Sequence, residues 1–177
     1  PTIFDNLKTV LEGHVYEQDF AGQILVIERQ DLFDLATLKR QLVLGFRSRL
    51  EGEMTAQLQL TAPLQQLAAE ILELQEPAQL GCDLQLFFQG MVHHDPAPFC
   101  AEAGHLLEQD WGGRLLIVPT ISYIYGLAVK QYEVKFQCSF QRKIGEAQIA
   151  DLPMLVQLAV TSLTRLNALH QAGVSER

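Results

Sequence analysis

Two segments of the chain alternate strictly between apolar and polar residues, and this alternation restricts the fold more than any other feature. From Met54 to Ala62, apolar residues occupy every even position, and Thr or Gln occupies the odd positions between them. From Tyr132 to Phe140 the even positions are again apolar, and the odd positions are polar or charged. A helix cannot gather residues two apart on one side, whereas a pleated strand does so automatically. The pattern predicts a sheet with one buried face and one polar face.

Helical and extended segments alternate along the rest of the sequence. Helical spacing predicts helices over residues 3–12, 31–50, 63–76, 99–110 and 151–172. Strands are predicted over residues 23–28, 53–62, 82–89, 115–118, 121–129 and 131–141. Half-polar strands argue against helices on both faces of the sheet, because a sheet covered on both sides is apolar throughout.

The chain is therefore predicted to form one α+β domain over residues 1–177, with a flexible tail over residues 173–177. We expect two layers, with a mixed or mainly antiparallel sheet. Helices, including a long C-terminal helix, are expected to cover one face of that sheet. The odd-numbered apolar phase of residues 121–129 changes to an even-numbered phase after Lys130. A bulge or turn is predicted there, with Gly126 as its pivot.

Two of the predicted helices combine a start signal with apolar spacing. Over residues 31–50, Asp31 is placed at the N-cap, and four apolar residues share the inner face: Leu35, Leu38, Leu42 and Phe46. Four basic residues are then spread around that helix as a solvated surface: Lys39, Arg40, Arg47 and Arg49. The helix after Pro63 is expected to end at Pro77 and to bury one apolar stripe: Leu64, Leu67, Ala68, Ile71 and Leu74.

Composition narrows the classes of protein. A hydrophobic content of 48% excludes a disordered chain, and a net charge of −8 disfavours a nucleic-acid partner. Three cysteines and no visible secretory signal favour a reduced, cytoplasmic and bacterial protein, although a Cys82–Cys138 bridge stays open. The apolar stretch over residues 152–169 is judged too polar for membrane insertion.

One short stretch gathers the residue types that bind metals. Histidine, carboxylate and thiolate side chains are the usual ligands of zinc and iron, and this stretch holds His93, His94, Asp95, Cys100, Glu102 and His105. A metal site would use His93, His94, Asp95, Glu102 and His105. The alternative is an ordinary polar loop that leads into a helix, with Asp95 near the helix N-terminus.

Glutamines on the predicted outer faces point to a different kind of site. A polar face without charge can rest against another protein with little desolvation cost. The candidate interaction residues are Gln57, Gln59, Gln85, Gln131, Gln137 and Trp111. Trp111 joins them because it stands beside a Gly-Gly turn and is expected to be partly exposed.

The chain carries neither a Gly-x-Ser-x-Gly elbow nor a glycine-rich phosphate loop, so no catalytic residue or cofactor is assigned. The leading hypothesis is a non-enzymatic protein that works through protein–protein contact or self-association, such as an adaptor, chaperone-like factor or structural subunit. The alternative is a zinc or iron protein centred on residues 93–105. A third hypothesis is a carrier of a small apolar ligand held between aromatic strand residues and the C-terminal helix, although such residues are more typical of a core.

Overall fold

Six strands form one antiparallel sheet in a computed structural model of the protein, which describes residues 1–76 and 79–175. The strands are β1 (Ile24–Asp34), β2 (Lys39–Ser48), β3 (Thr55–Ala62), β4 (Asp83–Val92), β5 (Leu115–Tyr123) and β6 (Tyr132–Phe140). They lie in the order β1-β2-β3-β4-β6-β5. The helices are α1 (Ile3–Phe20), α2 (Leu64–Ile71), α3 (Ala97–Trp111) and α4 (Leu152–Ser175), with a 3-10 helix at Glu146–Asp151.

Helices α1, α3 and α4 pack against one face of this sheet. The long helix α4 contacts α1, α3 and the three strands β2, β3 and β4. Its buried residues join the inward residues of the sheet in one continuous apolar core. The predicted two-layer α+β architecture with a long C-terminal helix is confirmed, and the sheet is antiparallel throughout the described residues.

Both alternating segments form strands that bury their apolar set. In β3, Leu58 and Leu60 are buried, and in β6 Phe136 and Cys138 are fully buried. The ring of Phe136 meets that of Phe99 on α3 edge-on, with 6.2 Å between ring centroids. Because successive side chains of a strand point to opposite faces of the sheet, the alternation alone was enough to place these side chains correctly.

The predicted helix over residues 31–50 is wrong: the segment forms the end of β1, a turn and β2. Leu42, Leu44 and Phe46 are buried at two-residue spacing, as a strand requires. The turn is stabilised by Asp34, whose carboxylate accepts hydrogen bonds from the Thr37 hydroxyl at 2.8 Å and the Ala36 amide at 2.9 Å. The four basic residues predicted around this helix therefore lie in or directly after a strand.

Two helices also differ from prediction. Helix α1 continues through Gly13 to Phe20 instead of ending near residue 12. Helix α2 leaves Leu64 and Ile71 of the predicted stripe exposed, while Leu67 packs partly against the core. Gln66 and Ala69 are buried instead. The predicted continuation of this helix to residue 76 is wrong, because α2 ends at Ile71; Pro77 itself lies outside the described residues.

The predicted turn before β6 is confirmed, but the extended segment predicted over residues 121–129 ends at Tyr123. Strand β5 ends at Tyr123 and β6 begins at Tyr132, and Gly126 in the connection has a φ of 86°. The positive φ explains why glycine suits this turn. At the C-terminus, α4 continues to Ser175, so residues 173–175 of the predicted tail are helical, while the rest of that tail lies outside the described residues.

A polar network ties α3 to α4 inside the molecule. The Trp111 indole N–H donates to Ser162 Oγ at 3.1 Å, and Ser162 donates to Asp110 Oδ2 at 2.9 Å. Arg165 also pairs with Asp110.

By length and a mean hydropathy of 1.2, the stretch Glu146–Ser175 could cross a membrane, but a core helix of a globular protein passes the same test. In this fold α4 lies on the sheet with Ser162 and Asn167 buried.

Candidate interaction surface

The face of the sheet opposite α1, α3 and α4 is covered by none of the described helices. We call it the open face, and it is made of the odd-numbered residues of β2, β3, β4 and β6, together with alternate residues of the two edge strands. Strand pairing brings Gln57 opposite Phe87, and Phe87 opposite Gln137, across its centre. Likewise Gln59 pairs with Gln85. Four of the predicted interaction residues therefore share one surface.

Side-chain amides on the open face are joined by hydrogen bonds into an amide ladder. Gln41 Nε2 donates to Thr61 Oγ1 at 3.2 Å and to Gln59 Oε1 at 3.4 Å. Gln59 Nε2 donates to Gln57 Oε1 at 2.6 Å, and Gln57 Nε2 donates to Glu28 Oε2 at 2.9 Å. The ladder holds these side chains in fixed orientations across β1, β2 and β3. Such an ordered surface loses less side-chain entropy when a partner covers it.

Two apolar residues are nearly buried on the open face by their neighbours. Val43 lies beside the amide ladder, and Phe87 lies beneath Lys135, whose Nζ is 4.7 Å from the ring centroid. Gln85 Nε2 donates to Ser139 Oγ at 3.2 Å in the neighbouring row. The centre of the face is thus lined mainly by amide and hydroxyl side chains, with Val43 and Phe87 buried directly beneath them.

Strand β5 forms one edge of the sheet and pairs with β6 alone among the described strands. On the open face its Leu116 and Val118 are about half exposed. The connection beyond β5 adds further exposed apolar side chains: Ile124, Tyr125, Leu127 and Val129. From Leu115 to Val129 the sequence contains no charged residue. We call this segment the β5 edge.

Strand β1 forms the other edge, and charged side chains in β1, in β2 and just after β2 pair with α1. Asp5 pairs with Arg40 of β2 at 2.7 Å, and Glu12 pairs with Arg29 of β1 at 2.7 Å. Two further pairs belong to the same row: Lys8 with Asp31, and Asp19 with Arg49 at 2.8 Å. A register shift between Val26 and Glu28 adds a bulge to this strand.

One carboxyl group in this row is strongly perturbed. The hydrogen bond from the Thr2 hydroxyl, followed by that from Arg40, lowers the pKa of Asp5 from 3.8 to about 2. Thr2 and Asp5 also form a capping box at the start of α1. Asp5 therefore links the N-terminus of the helix to the edge of the sheet, and it stays ionised at physiological pH.

The residues predicted for a metal site are not gathered around a common point. His93 faces Glu53 at 3.4 Å, whereas His94 Nδ1 lies 3.1 Å from the backbone oxygen of Asp95. Asp95 accepts the Ala97 amide at the start of α3. Glu102 is exposed on α3, and His105 contacts Gln109. Within residues 1–76 and 79–175, no three His, Cys, Asp or Glu side chains are placed to hold one ion.

An open depression of about 520 Å³ lies at the end of the open face near His93. Its lining residues are Glu53, Thr55, Gln89, Gly90, Met91, His93 and Glu133. The neighbouring His170 is buried, with Nε2 2.7 Å from the backbone oxygen of Met91, and its ring meets Phe99 edge-on. Because that nitrogen already hydrogen-bonds the backbone, His170 serves to join α4 to β4.

The last two predicted interaction residues have different surroundings. Gln131 is exposed in the connection just before β6. Trp111 is only 2% exposed, so the expectation of partial exposure is wrong. Its indole is held by Ser162 and meets the ring of Phe140 at 5.9 Å. Trp111 is therefore a core residue that no partner can reach without unfolding α3.

The remaining reactive and aromatic groups are structural. Cys82, Cys100 and Cys138 are free thiols, which resolves the open question of a bridge. Burial raises the pKa of Cys82 and of Cys138 to about 12, so neither is a nucleophile at neutral pH. Phe136 is enclosed in the core, whereas Tyr125 is 93% exposed. The aromatic residues thus do not line a shared ligand cavity.

Sequence reasoning missed the β5 edge. The uncharged run from Leu115 to Val129 was visible, but nothing in the sequence places β6, rather than β5, beside β4.

Neither a protein-family model, nor a curated protein, nor a solved structure matches the chain.

Proposed function

We propose that this protein is a non-enzymatic assembly factor that works through protein–protein contact on the open face. The observation that carries the proposal is that none of the described helices covers one face of the six-stranded sheet, and that ordered glutamine side chains form the centre of this face. Ordinary solvated faces carry many Lys and Glu side chains, which lose hydration energy on binding. The amides at the centre of this face lose much less.

Two further features support the same proposal. The Gln59 and Gln57 side chains are already joined to each other and to Glu28, so a partner would meet an ordered surface. The apolar residues Val43 and Phe87 lie directly under this layer. Because both residues are already buried in the single chain, they support the amide layer from below and help to keep it ordered. The free thiols suit a reducing compartment such as the cytoplasm, which belongs to the same proposal.

The test is site-specific photo-cross-linking in the cells that naturally make the protein. A benzophenone side chain replaces Gln59 or Gln137 on the open face and, as the matched control, Gln157 on the exposed side of α4. We expect discrete cross-linked products from the two open-face positions and none from Gln157. In the Gln59 experiment, adding Gln85→Lys next to the probe should reduce the yield, because an uncompensated charge opposes burial.

Two results would contradict the proposal. One is the absence of discrete products from both open-face positions. The other is the same set of products from Gln157 as from Gln59, since contact would then be independent of the surface.

A further inference from the structure

The backbone of β5 has an open side. Its nine residues pair with β6 from Leu115 opposite Phe140 to Tyr123 opposite Tyr132, and no other described strand lies beside it. The N–H and C=O groups that point away from β6 are therefore free to pair with another strand. An edge of this kind accepts an added strand readily.

The usual safeguards against such pairing are nearly absent here. Edge strands are normally protected by charged side chains, bulges, prolines or a covering element. Pro119 is the single device of this kind in β5. In contrast, exposed apolar side chains border the strand on both faces: Val118 on the open face, and Ile121 and Tyr123 on the helix side.

We infer that the β5 edge binds a second copy of the same chain, by antiparallel pairing of β5 with β5. This inference goes beyond the proposed function, because it uses the edge of the sheet and not the open face. It would join two six-stranded sheets into one continuous sheet with the open faces on the same side.

The charge distribution favours a second copy as the occupant. The chain has a net charge of −8, so most surfaces of two copies repel each other. The segment Leu115–Val129 carries no charge, so it is a stretch along which two copies can approach without that repulsion. Antiparallel pairing of a strand with itself also satisfies two-fold symmetry, in which the same patch forms both halves of the contact.

Pairing centred on Pro119 aligns all nine residues of β5 with those of the second copy, without the two hydrogen bonds that residues bearing an N–H would exchange at the centre. Ile117 then lies opposite Ile121 of the second copy, and Val118 lies opposite Thr120. The missing N–H of Pro119 falls on the two-fold axis, where it is lost once from each copy. Continuing the same register brings the exposed Tyr125 alongside the Gly112–Gly113 turn of the second copy, so that the connection after β5 is covered as well.

The experiment compares two matched charge insertions by light scattering and sedimentation. Val118→Lys alters an open-face residue of β5 that is 46% exposed, and Leu32→Lys alters an open-face residue of β1 that is 44% exposed. The unmodified protein should have twice the mass of one chain. Val118→Lys should raise the dissociation constant of the dimer ~100-fold, because each copy then brings a lysine to the contact. Leu32→Lys should leave it unchanged.

Ile121→Lys provides a second variant on the helix side of the same strand, and its effect should match that of Val118→Lys. Circular dichroism and the urea midpoint check that each variant is folded. A single-chain mass for the unmodified protein at ~100 µM, where a standard-size interface stays associated, would overturn the inference. Equal dissociation by Leu32→Lys would overturn it too. The cross-linking at Gln59 and Gln137 reports on the open face in either case, so failure of the dimer and failure of the proposed function are separable.

Discussion

At β1 the sheet ends in a strand with a bulge, charged side chains and a row of ion pairs to α1. At β5 it ends in a strand without charge whose neighbouring connection is apolar and exposed. Both strands belong to the same sheet and both lie at its edge, so the difference does not follow from strand position. Individual side chains therefore decide whether an edge strand is protected, and β5 lacks the charged side chains and the bulge of β1.

The largest effect should come from the residue that anchors the β5–β6 hairpin. Phe136→Ala removes a fully buried ring that packs on Phe99, and we expect it to lower the free energy of unfolding by ~3–5 kcal/mol. The matched change Phe33→Ala, near the exposed end of β1, should cost less than ~1 kcal/mol. Urea denaturation measures both. If both variants lost the same free energy of unfolding, Phe136 would not anchor the β5–β6 hairpin more firmly than Phe33 anchors the end of β1.

A smaller effect should come from the bulge in β1. Gly45 faces Glu28, and a Cβ on Gly45 would lie 2.9 Å from Glu28 Cβ. Gly45→Ala should therefore destabilise the protein by ~1–2 kcal/mol, because the edge strand must shift. As the control, Gly13→Ala adds a Cβ that meets no atom within 4 Å inside α1, and it should stabilise by ~0.5–1 kcal/mol. Thermal unfolding of both variants separates the local clash from the general effect of losing a glycine. If both variants were equally stable, the bulge would not be a fixed feature of this edge.

The smallest effect should come from the ion pairs, and it should depend on pH. The folded-state pKa of Asp5, about 2, lies below its ordinary value of 3.8. Ionised Asp5 therefore stabilises the fold above pH 4, and this contribution is lost as the pH falls from 4 towards 2. Since the side chain is about one-third exposed, solvent screening reduces the contribution to ~1 kcal/mol.

Asp5→Asn should accordingly destabilise the protein by that amount at neutral pH and by progressively less below pH 4. The control is Asp83→Asn, whose carboxylate pairs with Lys143 at 2.8 Å on an exposed surface. It should change stability by less than ~0.5 kcal/mol. Urea titrations between pH 2 and 7 measure both. A pH-independent difference for Asp5→Asn would show that the loss comes from the helix cap instead of the charge.

The fold was predictable where the period of the sequence was unambiguous. The alternation around Leu58 and Phe136 fits a strand and nothing else, and both strands form as predicted. In β2, Leu38, Leu42 and Phe46 fit a helix, whereas Leu42, Leu44 and Phe46 fit a strand equally well. Pairing with β3 decides between the two, and that pairing is not a local property of the sequence. The same holds for α2, whose spacing identified an amphipathic helix but not which of its sides would be covered.

In the candidate site, too, the features set by local sequence were predictable and those set by long-range contacts were not. Gln57, Gln59, Gln85 and Gln137 were predicted from local alternation, and they do share the open face. The β5 edge follows from strand order, which depends on contacts between segments far apart in the chain. Trp111 was misjudged because the position of Ser162 and Phe140 around its ring is also a long-range outcome.

The placement of β6 between β4 and β5 has a consequence for synthesis of the chain. As the polypeptide leaves the ribosome, β5 appears before the strand that connects it to the sheet. Until β6 follows, β5 is an uncharged extended segment with nothing to pair with. During synthesis there is thus a stage in which the uncharged segment that will form β5 has been made but its partner strand β6 has not.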